Sequence, residues 1–167
     1  MMEDKTAALT VLKQAMALEQ EGRGFYLKAA QTSADKKGQE TFHHLADDEQ
    51  GHYNLIKRQY DALTSDGQWV GSPEIKPVAI DLNKPLFPRS KEAREKAVTT
   101  RSSDWDALLF GIDIEIKSYD LYRQTALATG DPLGKQMFTF LTSEEKRHFD
   151  LLMMRYDALF GPIAWSA

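Results

Sequence analysis

A glutamate stands three residues ahead of a histidine twice in this chain, as Glu49 and His52 and, 96 residues later, as Glu145 and His148. The same offset carries Glu19 to Glu115 and Tyr26 to Tyr122. Aligned without a gap, residues 19–63 and 115–159 agree at 14 of 45 positions, including Asp35, Gly38, Phe42, Leu45 and the run Tyr60-Asp61-Ala62-Leu63. Helical periodicity alone would bring apolar classes into register, but it would not set acid on acid and imidazole on imidazole. The chain is therefore constrained to two like halves. On a helix, residues three apart share a face, so each Glu and His pair projects side by side.

The stretch from about Thr6 to Ala30 is made of good helix formers, with Asp4 or Thr6 available as N-cap. Leu9, Leu12, Ala15, Met16, Gly22, Tyr26, Ala29 and Ala30 fall on one face, and Glu19 stands in its middle. A carboxylate in an apolar stripe is costly unless a positive group meets it, whether Arg23 four residues on or something outside the helix. A short polar link around Gln31–Gly38 predicts an antiparallel second helix from about Asp35 to Leu63, with Phe42, Leu45, Glu49, His52, Tyr53 and Ile56 on one face. Glu40 and His43 repeat the ligand spacing, but nine residues earlier they point half a turn away, so they and His44 are expected at the surface.

A third helix is predicted from Asp104, as N-cap, to about Ala128, its inner face carrying Leu108, Gly111, Ile112, Glu115, Ser118, Tyr119, Tyr122 and Ala126. Thr129-Gly130-Asp131-Pro132 reads as a C-cap glycine, an N-cap and a first-turn proline. The fourth helix then runs to about Phe160, with Phe138, Leu141, Glu145, His148, Phe149 and Leu152 inward. Between the hairpins, Pro73, Pro77, Pro85 and Pro88 exclude a long helix; Val78–Leu82 is expected extended and Lys91–Val98 as a short helix. Basic residues there alternate with Glu92 and Glu95, the pattern of a solvated surface. The expected fold is all-α: a single domain over 1–167, built as a four-helix bundle from two repeated antiparallel helical hairpins, about 6–63 and 104–160, joined by a long crossover over about 64–103.

Such a bundle brings Glu19, Glu49, Glu115 and Glu145 together with His52 and His148. Four buried carboxylates repel one another, and two divalent cations would cancel their charge. Oxygen and nitrogen donors without sulfur suit iron or manganese, and zinc would also bind. The absence of cysteine excludes disulfides and thiolate-held iron. A net charge of −4 argues against a nucleic-acid partner. No apolar run reaches the roughly 20 residues of a membrane span, and no secretory signal is evident, so a cytoplasmic protein is expected.

Two Glu-to-Tyr spacings of seven together with two Glu-x-x-His pairs resemble the rubrerythrin branch of the ferritin-like di-iron proteins, over both hairpins. The resemblance implies Glu49 and Glu145 bridging two iron ions, Glu19 and Glu115 as terminal ligands, and one histidine on each metal. It also implies Tyr26 and Tyr122 hydrogen-bonding the ligand carboxylates. It implies a ferritin-like fold and an oxidoreductase active in oxidative stress, reducing hydrogen peroxide or dioxygen, with a ferroxidase or a non-catalytic iron-handling protein as alternatives. Manganese or zinc could replace iron. With no cysteine for a rubredoxin-like centre, electrons are expected from an external donor protein. A homodimer is also implied, with exchange of hairpins between subunits as one arrangement. One position departs from the family: a further glutamate one turn after the third-helix ligand is replaced by Ser118, whose repeat mate is Gly22. A symmetric six-ligand site follows, with room for a small ligand.

Overall fold

The computed structural model describes residues 2–71 and 102–161. They form α1 (Met2–Thr32), α2 (Lys36–Ser65), α3 (Ser102–Ala128) and α4 (Pro132–Phe160), the all-α architecture of a ferritin-like four-helix bundle. The expected extended segment at 78–82 and short helix at 91–98 lie outside the described residues.

The start of the second helix in each hairpin is set by the same cap. Asp35 accepts from the Gly38 N–H at 2.6 Å, and its repeat mate Asp131 accepts from Leu133 and Gly134 at 2.8 and 3.2 Å, with Pro132 opening the first turn. Three expected ends need correction. α1 begins at Met2, so Asp4 and Thr6 lie inside it. α3 begins at Ser102, which makes Asp104 a buried first-turn acid rather than the cap; there its charge faces the positive end of the helix dipole. Gly130 is not a left-handed cap: among the described glycines positive φ occurs only at Gly67 and Gly161. Thr129 ends α3 instead, its N–H and hydroxyl both donating to the Thr125 carbonyl at 2.8 and 2.7 Å. Gly161, at φ 84°, closes α4.

Within each hairpin the helices pack along their length, and the hairpins meet through α1 on α3 and α2 on α4. The apolar core is in two layers. One gathers Leu12, Ile56, Tyr122, Ala126, Phe138 and Leu141, and the other Tyr26, Ala30, Phe42, Leu45, Leu108 and Leu152. The repeat exchanges them: Leu12 corresponds to Leu108, Phe42 to Phe138, Leu45 to Leu141, Ile56 to Leu152. The halves are thus related by an approximate twofold perpendicular to the helices, and the polar residues at positions 19, 49, 52 and their mates fall between the layers. Leu63 near the end of α2 is in one layer and Trp105 near the start of α3 in the other, so the chain leaves one end of the bundle and re-enters at the opposite end.

Past α2 the chain folds back over α4. Gln59, fully buried, holds Val70 by both its amide atoms, accepting from Val70 N at 3.0 Å and donating to Val70 O at 2.6 Å. This sets Trp69 edge-on to Phe138 and against Gly134, where a Cβ would come within 2.8 to 2.9 Å of three indole carbons. A rigid ring held by its backbone cannot yield cheaply. Gly134→Ala is therefore expected to lower stability by about 1–3 kcal/mol, as overpacking of a dense core does, and a thermal unfolding curve checks it.

Candidate metal centre

Six chemically active side chains from four helices meet between the two apolar layers. Glu19 comes from α1, Glu49 and His52 from α2, Glu115 from α3, Glu145 and His148 from α4, and none is more than 4% exposed. They form two overlapping groups of four, each able to present ligand atoms within 4.8 Å of one another: Glu19, Glu49, His52 and Glu145, and Glu49, Glu115, Glu145 and His148. Glu49 and Glu145 belong to both. His52 Nδ1 lies 3.4 Å from Glu19 and 3.2 Å from Glu145, and His148 Nδ1 lies 3.4 Å from both Glu49 and Glu115. The two imidazoles stack with centroids 5.3 Å apart.

The donor set fits a pair of divalent ions. Seven buried atoms of these six residues make no hydrogen bond: Glu19 Oε2, Glu49 Oε1, Glu115 Oε2, both Glu145 carboxylate oxygens, and Nδ1 of His52 and of His148. Buried polar atoms are almost always paired, and so many orphans facing one another are what a metal pair would satisfy. Glu49 and Glu145, common to both groups, would each have an oxygen available to either position.

The outer atoms of the cluster are held from the opposite hairpin. Tyr26 donates its hydroxyl proton to Glu115 Oε1, and Tyr122 donates to Glu19 Oε1. Sequence reasoning missed a second pair of braces. Asp48 Oδ2 stands 3.2 Å from His148 Nε2, and its repeat mate Glu144 stands 3.9 Å from His52 Nε2. Carboxylates behind ligand imidazoles fix the ring and tautomer, leaving Nδ1 free to face inward. The available signal was an acid directly before each Glu of the repeated pair. Glu40, His43 and His44 lie outside the cluster, on the outer side of α2, although His44 Nε2 reaches Asp48 at 3.4 Å.

The electrostatics of the cluster show how its carboxylates are accommodated with no cation beside them. Burial, then the Glu49 charge, pushes the Glu19 carboxyl up to about 8. Burial and the charges of Glu49, Glu115 and Glu19 push Glu145 well above the carboxylate range. For Glu49 burial acts in the same sense, but the polar groups of Glu19, His148 and His52 that face it outweigh burial and hold the carboxyl low. Burial alone would lower both histidines, yet facing carboxylates raise them well above the usual imidazole value. Without metal the site holds protons.

At Ser118, where the resemblance implies a further glutamate, the side chain is buried, and at its repeat mate Gly22 a Cβ would lie 3.5 Å from the Glu49 carboxyl carbon. Among the described residues no helix is long and apolar enough to cross a membrane. A family model described as Rubrerythrin matches residues 10–156. No curated protein matches the chain. A solved structure of a hypothetical protein from Pyrococcus furiosus is similar, with TM-score 0.64 and 19% identity over 91% of this chain and 89% of that one, a likeness of fold.

Proposed function

Since the chain belongs to the rubrerythrin family, we propose that it is a di-iron oxidoreductase that reduces hydrogen peroxide, with Glu49 and Glu145 bridging the ions. Glu19 and His52 would complete one metal position and Glu115 and His148 the other. The observation that carries this reading is the pair of four-residue groups sharing Glu49 and Glu145. Iron bound there would supply the two electrons, one from each ion, that turn peroxide and two protons into two waters. The residues' part is to hold geometry and exclude bulk water. Tyr26 and Tyr122 pin the terminal carboxylates, Asp48 and Glu144 orient the imidazoles, and the Phe42, Leu45, Phe138 and Leu141 layers close the site above and below. Electrons for the next turnover would come from outside these 167 residues, which include no cysteine to hold a thiolate-bound iron centre.

A ferroxidase or iron-handling role is the second reading, favoured by Ser118 at the position of the family's additional glutamate. The two separate in one experiment. The protein is loaded anaerobically with two Fe(II) per chain and mixed with peroxide or with oxygen while di-ferric absorption is followed. Faster oxidation by peroxide is expected; faster oxidation by oxygen transfers the protein to the ferroxidase reading, and no iron uptake removes both.

A further inference from the structure

One guanidinium at the rim of the site touches carboxylates from both hairpins. Arg147 Nη2 lies 2.8 Å from Asp48 Oδ2 and 2.8 Å from Glu144 Oε2. These are the two acids that stand behind His148 and His52, at 3.2 and 3.9 Å. A continuous polar chain therefore runs His148, Asp48, Arg147, Glu144, His52, crossing between α2 and α4 at every carboxylate-to-histidine step. The repeat supplies the carboxylates to each half but the arginine only once. Its mate is Gly51, exposed, where a Cβ would meet nothing within 4 Å. Space did not forbid a second side chain there; a single guanidinium already reaches both halves.

Asp48 and Glu144 have side chains 24% and 23% exposed, so water competes for them and either could turn outward. As an exposed ion pair Arg147 adds little to stability. Its geometric effect is larger, because a carboxylate that must stay behind an imidazole has a second partner holding the same oxygen. We propose that Arg147 is a positioning residue for the metal centre: by tying Asp48 to Glu144 it fixes both histidines with Nε2–H outward and Nδ1 inward, and so links the two metal positions through a contact no ligand makes. The inference rests on the metal-binding reading above and extends it to a residue that reaches neither ion.

The test is a Co(II) titration of the metal-free full chain by visible absorption, together with proton NMR of the exchangeable imidazole N–H resonances displaced by bound Co(II). Removing an outer partner of a ligand histidine costs about 10–100-fold in metal affinity, so Arg147→Gln, one step further out, is expected to weaken both Co(II) steps by roughly tenfold. Both N–H resonances should exchange faster with solvent, and Arg147→Lys should recover much of the loss. In an Asp48→Asn, Glu144→Gln background, Arg147→Gln should add nothing. Unchanged binding and exchange in Arg147→Gln would overturn the proposal, as would a penalty that persists undiminished in that background, which would mean the arginine acts on folding. Failure of the wild-type chain to bind two Co(II) would instead sink the metal centre, and the clamp with it.

Discussion

Replacing Glu145 with leucine is expected to abolish binding of both metal ions and to raise the melting temperature of the metal-free protein. Glu145 is 0% exposed, neither of its oxygens makes a hydrogen bond, and it belongs to both four-residue groups. With no metal bound it is a buried polar group without a hydrogen bond, which costs about 1–3 kcal/mol. Leucine is apolar and of similar volume, and exchanges of this kind in buried ionic clusters are often stabilising. At roughly 2–4 °C per kcal/mol for a chain of this size, a rise of several degrees should be visible by calorimetry. Glu19→Leu provides the contrast: Glu19 enters one group only, so one ion should remain. Metal analysis of both variants decides the matter. An E145L protein that keeps one ion at wild-type affinity would show that Glu145 does not bridge.

The metal-free protein should lose stability as pH rises from about 5 to 8, and metal should reverse the slope. Glu19 ordinarily ionises near 4.5 but keeps its proton in the fold up to about 8. Between those values the native state binds a proton that the unfolded state has released, so stability falls with rising pH. Glu145 is displaced in the same direction. His52 and His148, raised above 6.5, add the same sign from that pH upward, since the unfolded chain loses its imidazole protons first. Three acids work oppositely in a different window. Asp48, where burial is outweighed by His148 and Arg147, Glu144, held at about 2 chiefly by His52, and Glu49 contribute stability that is lost only on acidification through the carboxylate range. Each tenfold change in proton affinity on folding is worth about 1.4 kcal/mol, so the combined effect over the neutral window is on the order of several kcal/mol. Cations displace the same protons, so metal affinity should climb with pH where the empty fold weakens. Urea unfolding at three pH values, with and without Mn(II), measures both slopes. A flat metal-free profile would contradict the convergence of four buried carboxyls on two imidazoles.

The bundle and its polar centre were legible because polarity broke an otherwise apolar face at positions 19, 49 and 52, and broke it again at the same spacing in the second half. Buried acids on apolar stripes have few explanations. The less legible parts were those where two physical effects imitate each other. Asp104 satisfies a helix start equally well as a cap or as a first-turn charge, and the choice depends on residues before it. Asp48 and Glu144 are partly exposed acids next to other acids, which reads as solvated surface until the histidines that face them across α2 and α4 are known. Arg147 has no repeat mate to draw attention to it. Gly134 could be aligned with Gly38, but the reason for each is different. An indole face fills the space at Gly134, whereas at Gly38 the Ser33 hydroxyl lies 2.8 Å from where a Cβ would stand.

The exchange of the two apolar layers under the repeat means that one hairpin is complementary to itself. Residues 19–63 carry three of the six clustered side chains, one of the two tyrosines and one of the two outer acids, and residues 115–159 carry the rest. A chain half this length, pairing with its own copy, would already possess every group required for a six-ligand centre. Joining two such copies in tandem adds no chemistry; it adds licence for the halves to diverge. Gly51 against Arg147 and Gly22 against Ser118 are where that licence has been used beside the cluster, turning what would be a strict symmetry into two sides that can be tuned separately.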